Sequence, residues 1–107
     1  MKYEVFLSEQ AEQDIRTIYE YIAIEKQAPE VARALISRIE EQILRLDEMP
    51  YRFHEYENEP WKSRGMRIMP VENFLICYIP IEKYGSVNII RLFHSGQIID
   101  KQLKKTR

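Results

Sequence analysis

From Arg64 to Gln97 the chain holds three apolar or β-branched runs separated by turn chemistry, and this block limits the fold more than any other stretch. Phe74 to Ile81 is apolar at nearly every position, which suits a strand covered on both faces. Val87 to Phe93 mixes branched residues with one arginine, Arg91, and reads as its neighbour. Pro70 to Asn73 separates the first run from the second, and Glu82 to Ser86, with Gly85 inside it, separates the second from the third. Two consecutive hairpins form an antiparallel meander.

The remaining chain supplies something to cover that meander. Tyr3 to Leu7 is short, aromatic and branched, and predicts a further strand. Ser8 ends it and is suited to cap a helix, with Glu9 and Glu12 where the helix dipole favours acids. Ala11, Ile15, Ile18 and Ile22 lie on one face of an amphipathic helix reaching about Glu25. After a break at Lys26 to Ala28, Pro29 takes the first position of a second helix. Ala32, Leu35, Ile36, Ile39, Ile43 and Leu46 repeat the pattern until Pro50 forbids continuation. So short a link makes the helices antiparallel, and their stripe has only the strand block to cover.

The expected fold is therefore α+β, one domain over residues 1–107. An N-terminal strand and a two-helix antiparallel hairpin precede the three-strand meander, giving a mainly antiparallel four-strand sheet and one core. Met49 to Pro60 is expected to be an ordered loop with a short strand at Arg52 to Tyr56, held to the core by Trp61. Gln97 to Arg107 is expected to form a short C-terminal helix. Ile98, Ile99 and Leu103 would face inward, with Lys101, Lys104, Lys105 and Arg107 toward water.

The single cysteine, Cys77, lies in the most apolar run and reads as a small buried hydrophobe. With no signal peptide and no apolar run near the roughly 20 residues that span a bilayer, a soluble cytoplasmic protein without membrane contact is expected. The net charge of −1 hides a division. Residues 1–61 carry 7 basic and 14 acidic side chains, residues 62–107 carry 9 and 3. Two solvated faces, or a basic surface for phosphates or an acidic segment, both fit that split.

Several chemistries are absent. The glycines, Gly65, Gly85 and Gly96, stand too far apart for a phosphate loop, and His54, His94 and Cys77 share no ligand spacing, so no metal or cofactor is expected. The catalytic candidates are Arg67, Arg91 and His94. If they converge, the cations can stabilise a phosphodiester's developing charge while the imidazole moves a proton. Each also has a structural reading. Arg67 can pair with Glu72 or another local acid, Arg91 needs a partner inside so apolar a strand, and His94 can simply end one. Lys62 and Arg64 could touch a phosphate or remain solvated.

The stretches LSEQAEQDIRTIYEYI, RIMPVENFLICYIP and VNIIRLFHSGQIIDKQL, in this order of elements, resemble the RelE/ParE family of bacterial toxins from type II toxin-antitoxin modules. The likeness includes Arg67 placed ahead of Phe74 and Tyr78 at the family's spacing. It implies a small toxin neutralised by a cognate antitoxin, with operator DNA met only through the toxin-antitoxin complex. RelE-like members cut messenger RNA in the ribosome, and ParE-like members poison DNA gyrase. On this basis Lys62, Arg64, Ser95, Gln97 and Lys101 are the expected target- or phosphate-binding set. Gln97 and Ile98 stand where relatives carry Arg and Asp, Leu75 stands where RelE-like members often carry arginine, and the sequence pI is only about 6.1. These departures favour a ParE-like toxin that binds a macromolecular target such as gyrase. The alternatives are a ribosome-dependent, metal-independent mRNA endonuclease and a decayed toxin that keeps only antitoxin binding.

Overall fold

A computed structural model describes residues 2–97 and 99–104. Strand β1 (Glu4–Leu7) leads into helix α1 (Glu9–Glu20), and α2 (Pro29–Leu44) returns antiparallel to it. The meander follows as β2 (Arg67–Val71), β3 (Phe74–Ile81) and β4 (Ser86–His94), and the short helix α3 (Ile99–Leu103) ends the described chain. Sheet order is β1-β4-β3-β2. The meander is antiparallel, and β1 lies parallel to β4, so the sheet is mixed.

Ser8 turns the chain from sheet to helix. Its amide donates to Ile89 O (3.0 Å), its hydroxyl donates to Ile90 O (2.9 Å), and the same oxygen accepts from Ala11 N (3.0 Å). One side chain thus satisfies an orphan helix donor and anchors the start of α1, where it leaves β1, to β4. At its other end α1 widens into a π-helical turn, Tyr21–Glu25. Lys26 N donates to Tyr21 O and Ala28 N to Ile22 O, with Gln27 left-handed at φ 53°. This is the αL helix stop usually given to glycine. Pro29 then opens α2 as the sequence predicts, although the regular helix ends at Leu44 and only a 3₁₀ turn, Arg45–Asp47, reaches toward Pro50.

Apolar residues gather on both sides of the sheet, not in the one core expected. Ala11, Leu35, Ile39, Ile43 and Leu46 pack on Met69, Ile76, Tyr78, Val87, Ile89 and Leu92 under the helices. A smaller cluster on the opposite face joins Trp61, Met66, Cys77, Phe93 and Leu103. The continuous apolar run of β3 has this cause, because its alternate side chains serve different clusters. Each aliphatic side chain fully removed from water contributes about 1.5–3 kcal/mol, and the larger cluster dominates.

A bulge in β4 sets the faces. Cys77 pairs with Arg91 and Tyr78 with Ile89, so Ile90 is the extra residue. Ile89 and Leu92 therefore both face the helices, while Phe93 joins the outer cluster, which strict alternation from Ile89 would not give.

Three boundaries differ from the sequence reading. Pro70 belongs to β2, and only Glu72 and Asn73 form the turn; a proline is tolerated there because β2 is an edge strand. Arg52 to Tyr56 is not a strand. It holds part of a 3₁₀ turn, Pro50–Arg52, and one antiparallel bridge, Glu55 to Arg67. α3 is five residues long with Leu103 buried and Lys101 and Lys104 exposed; the expected roles of Ile98, Lys105 and Arg107 lie outside the described residues.

Candidate functional site: a groove between the helical hairpin and the sheet end

A groove of about 870 Å³ lies between the helical hairpin and the end of the sheet where β4 finishes. Its apolar walls include Ile18, Tyr21 and Ile22 from the first helix and its π turn, Val31 and Leu35 from α2, and Phe74 from β3. Tyr21 and Val31 are 50% and 59% exposed, so the groove offers open apolar surface on its helical side. The wider turn at Tyr21–Glu25 adds a residue to the helix and presents Tyr21 at the groove mouth.

Two ion pairs occupy the polar positions of the groove. Asp14 receives Arg91 at both oxygens, Nε to Oδ2 at 2.7 Å and Nη2 to Oδ1 at 3.0 Å, and Oδ2 also accepts Leu92 N at 2.9 Å. β1 has already ended opposite Ile89, so this carboxylate supplies β4 with an acceptor where its neighbouring strand stops. Arg91 Nη1 further reaches Gln102 O (3.4 Å), and the guanidinium lies 5.3 Å from the Phe93 ring. At the rim, Arg38 of α2 holds Glu72 of the β2–β3 turn through Nε to Oε2 (2.5 Å) and Nη2 to Oε1 (3.1 Å). That bond holds the Glu72 carboxyl below its ordinary value and raises Arg38 above its own. Lys26 stands 5.4 Å over the Tyr21 ring on the groove lining.

His94 closes β4 at the groove edge. Its ring meets Phe74 edge-on at 5.6 Å, its Nδ1 accepts Gly96 N at 3.1 Å, and its own amide donates to Gln97 Oε1 at 3.0 Å. Ser95 N donates to Asn73 O (2.8 Å), which ties this end of β4 to the β2–β3 turn. Gln97 lines the groove as well.

Arg67 lies elsewhere. It pairs with Tyr78, whereas His94 pairs with Phe74, so the two are separated by four residues along β3, roughly 13 Å, and by the width of a strand. Its guanidinium donates to Tyr51 O (3.1 Å), Phe53 O (2.6 Å) and Glu55 Oε1 (3.2 Å) and stands 5.1 Å over the Tyr51 ring. Tyr78 helps hold the same loop through its hydroxyl, which donates to Pro50 O (2.6 Å), and burial pushes that phenol up to about 12. The partner of Arg67 is thus Glu55, and Glu72 belongs to Arg38. Of the three catalytic candidates, Arg91 and His94 share the groove and Arg67 does not.

Lys62, Arg64 and Lys101 are exposed on the loop and α3 that cover the outer cluster, and none of them lines the groove. Arg64 stacks 4.6 Å over Trp61, which is buried as expected of a loop anchor. Tyr56 and Asn58 bond Asp100, fastening α3 to the loop. Asp14, Arg38 and Glu72 were not among the site residues expected from sequence. Asp14 reads as one more acid of a polar helix face, and Arg38 lies 34 residues from its partner, so neither spacing nor composition marks them.

A mixed four-strand sheet with a helical hairpin on one face is a fold shared with solved proteins of toxin-antitoxin modules. The chromosomal ParDE toxin-antitoxin system of P. aeruginosa superposes with a TM-score of 0.67 at 22% identity, covering 87% of this chain and 96% of that one. The RelBE2 toxin-antitoxin complex of Mycobacterium tuberculosis gives 0.62 at 18%, over 88% and 99%. A double arginine-to-alanine mutant of the E. coli RelE toxin in the free state gives 0.65 at 12%, over 99% and 94%. A sequence search of the curated proteins gives no match. Residues 5–99 match the family model for the ParE toxin of the type II toxin-antitoxin system parDE, and the chain belongs to that family.

Proposed function

We propose that this toxin inhibits growth by binding a macromolecular target, with DNA gyrase the first to test, and that a cognate antitoxin neutralises it by docking in the groove. The observation that carries the first part is the state of the arginines. A phosphodiester-cleaving site needs cations free to meet developing negative charge. Arg67 is engaged by two carbonyls and Glu55, Arg91 is gripped by Asp14, and His94 stands apart from Arg67. Binding through an apolar groove needs no such cations. The groove's exposed Tyr21 and Val31, with Lys26 on its rim, suit an amphipathic acidic segment of the antitoxin.

Gyrase supercoiling with increasing toxin tests the target: supercoiling should fall, and its persistence at large molar excess would remove gyrase. The rival reading, a ribosome-dependent nuclease, draws on Arg91 and His94 sharing one groove. Translation of a single messenger with and without toxin distinguishes it, because cleavage in the ribosomal A site would establish the nuclease and overturn the binding mechanism. Operator DNA and ribosomal contacts through Lys62, Arg64, Ser95, Gln97 or Lys101 are secondary to either outcome.

A further inference from the structure

The two ion pairs of the groove differ in one respect that bears on docking. Asp14 and Arg91 have side chains 15% and 12% exposed, whereas Glu72 and Arg38 are 42% and 52% exposed. Water competes for the second pair, which makes it cheap to open, while the first is held by several further bonds. The exposed pair also spans the groove, since Arg38 belongs to the helix wall and Glu72 to the turn of the sheet wall.

Glu72 occupies that turn at a conformational cost. It is the first of two loop residues between β2 and β3 and has φ 53°, a position at which glycine is favoured and a long side chain is strained. The carboxylate held there accepts two N–H groups on one edge of the Arg38 guanidinium. On α2, Val31, Leu35 and Arg38 follow one another at four and three residues and share a face. A segment lying along this ridge meets apolar surface first and a guanidinium about 10 Å further on.

Resting on the groove as the antitoxin's dock, we propose that the Arg38–Glu72 pair is an exchangeable clasp: a carboxylate of the entering antitoxin segment displaces Glu72 and takes its place on Arg38. The segment it selects is amphipathic, with an acidic residue about two helical turns from the apolar residue seated at Val31. Before docking, Glu72 neutralises Arg38 and keeps the groove mouth bridged. Once the segment is in, Glu72 turns to solvent, since two carboxylates on one guanidinium edge repel.

The test measures affinity for the purified cognate antitoxin at several salt concentrations. Glu72→Gln removes the internal competitor and is expected to tighten binding about twofold to fivefold, with a steeper loss of affinity as salt rises. Arg38→Gln is expected to weaken binding by at least about threefold. Val31→Glu, at a position exposed enough to leave folding intact, is expected to weaken it more than tenfold and reports on the dock itself. If Val31→Glu disrupts binding while Glu72→Gln is neutral or weakening, the dock stands and the clasp is overturned. If Val31→Glu is silent, the segment docks elsewhere and both readings fall.

Discussion

Asp14 and Arg91, 77 residues apart in sequence, form a two-point ion pair that also closes the free edge of β4 through Leu92 N. The helix thereby takes over where β1 ends, and an arginine in an otherwise apolar strand acquires the partner its burial demands. Removing one member strands the other. Asp14→Ala should lower stability by about 3 kcal/mol in denaturant titrations, and pairing it with Arg91→Met should restore most of the loss, because an apolar pair leaves no uncompensated charge.

Arg67 latches the loop that crosses the β2 edge. Arg67→Ala leaves Tyr51 O and Phe53 O without their donor and should cost about 2 kcal/mol. The damage should be local. Amides of Tyr56 and Ile68, which bond across that edge, should exchange faster while those of β4 hardly change.

Stability should decline in alkali for a reason located at the sheet centre. Burial pushes the Cys77 thiol from 9.0 to about 12 and the Tyr78 phenol from 10.0 to about 12. Both folded-state values are raised, so the stability they hold is complete below the unfolded values and is lost as pH rises through about 9 to 12. Replacing Cys77 with Ala should flatten the lower part of that decline in thermal melts taken across the range. The same burial should leave the thiol unreactive to alkylating reagents in native protein near pH 8.

His94 separates the mechanisms in cells. A general base contributes about 10²–10⁴-fold to a hydrolytic rate, so His94→Ala should disarm a nuclease. A toxin acting by binding alone should keep its growth arrest when the variant is induced without antitoxin. Survival of cells carrying His94→Ala, with antitoxin affinity preserved, would contradict the proposed mechanism.

Turn strain at Glu72 is measurable separately from the clasp. Glu72→Ala and Glu72→Gly both delete the ion pair, yet only glycine accepts φ 53° freely, so the glycine variant should be the more stable by about 1 kcal/mol. Equal stabilities would show that the turn relaxes without strain.

Local chemistry made much of the fold legible. Ser8 and Pro29 mark helix starts because a side-chain acceptor and a preset φ act within one turn of chain. The apolar period of α2 and the unbroken run of β3 likewise report burial directly, and Cys77 and Trp61 are buried as their surroundings imply. Pro70 was harder to place, since its meaning depends on whether the strand has a neighbour, and only the sheet order makes β2 an edge.

The sequence by itself determined the two long helices, the four strands of the sheet, their order, the antiparallel meander and the family to which the likeness pointed, whereas the strand expected at Arg52 to Tyr56 is a 3₁₀ turn and a single bridge. Tertiary structure alone decided which charges are available for function. Asp14 reaches Arg91 across 77 residues and Arg38 reaches Glu72 across 34, and the bulge at Ile90 turns the side chains of β4 out of simple alternation. Charge pairing depends on distance in space, and a strand bulge shifts every later residue to the other face, so neither leaves a mark in residue spacing.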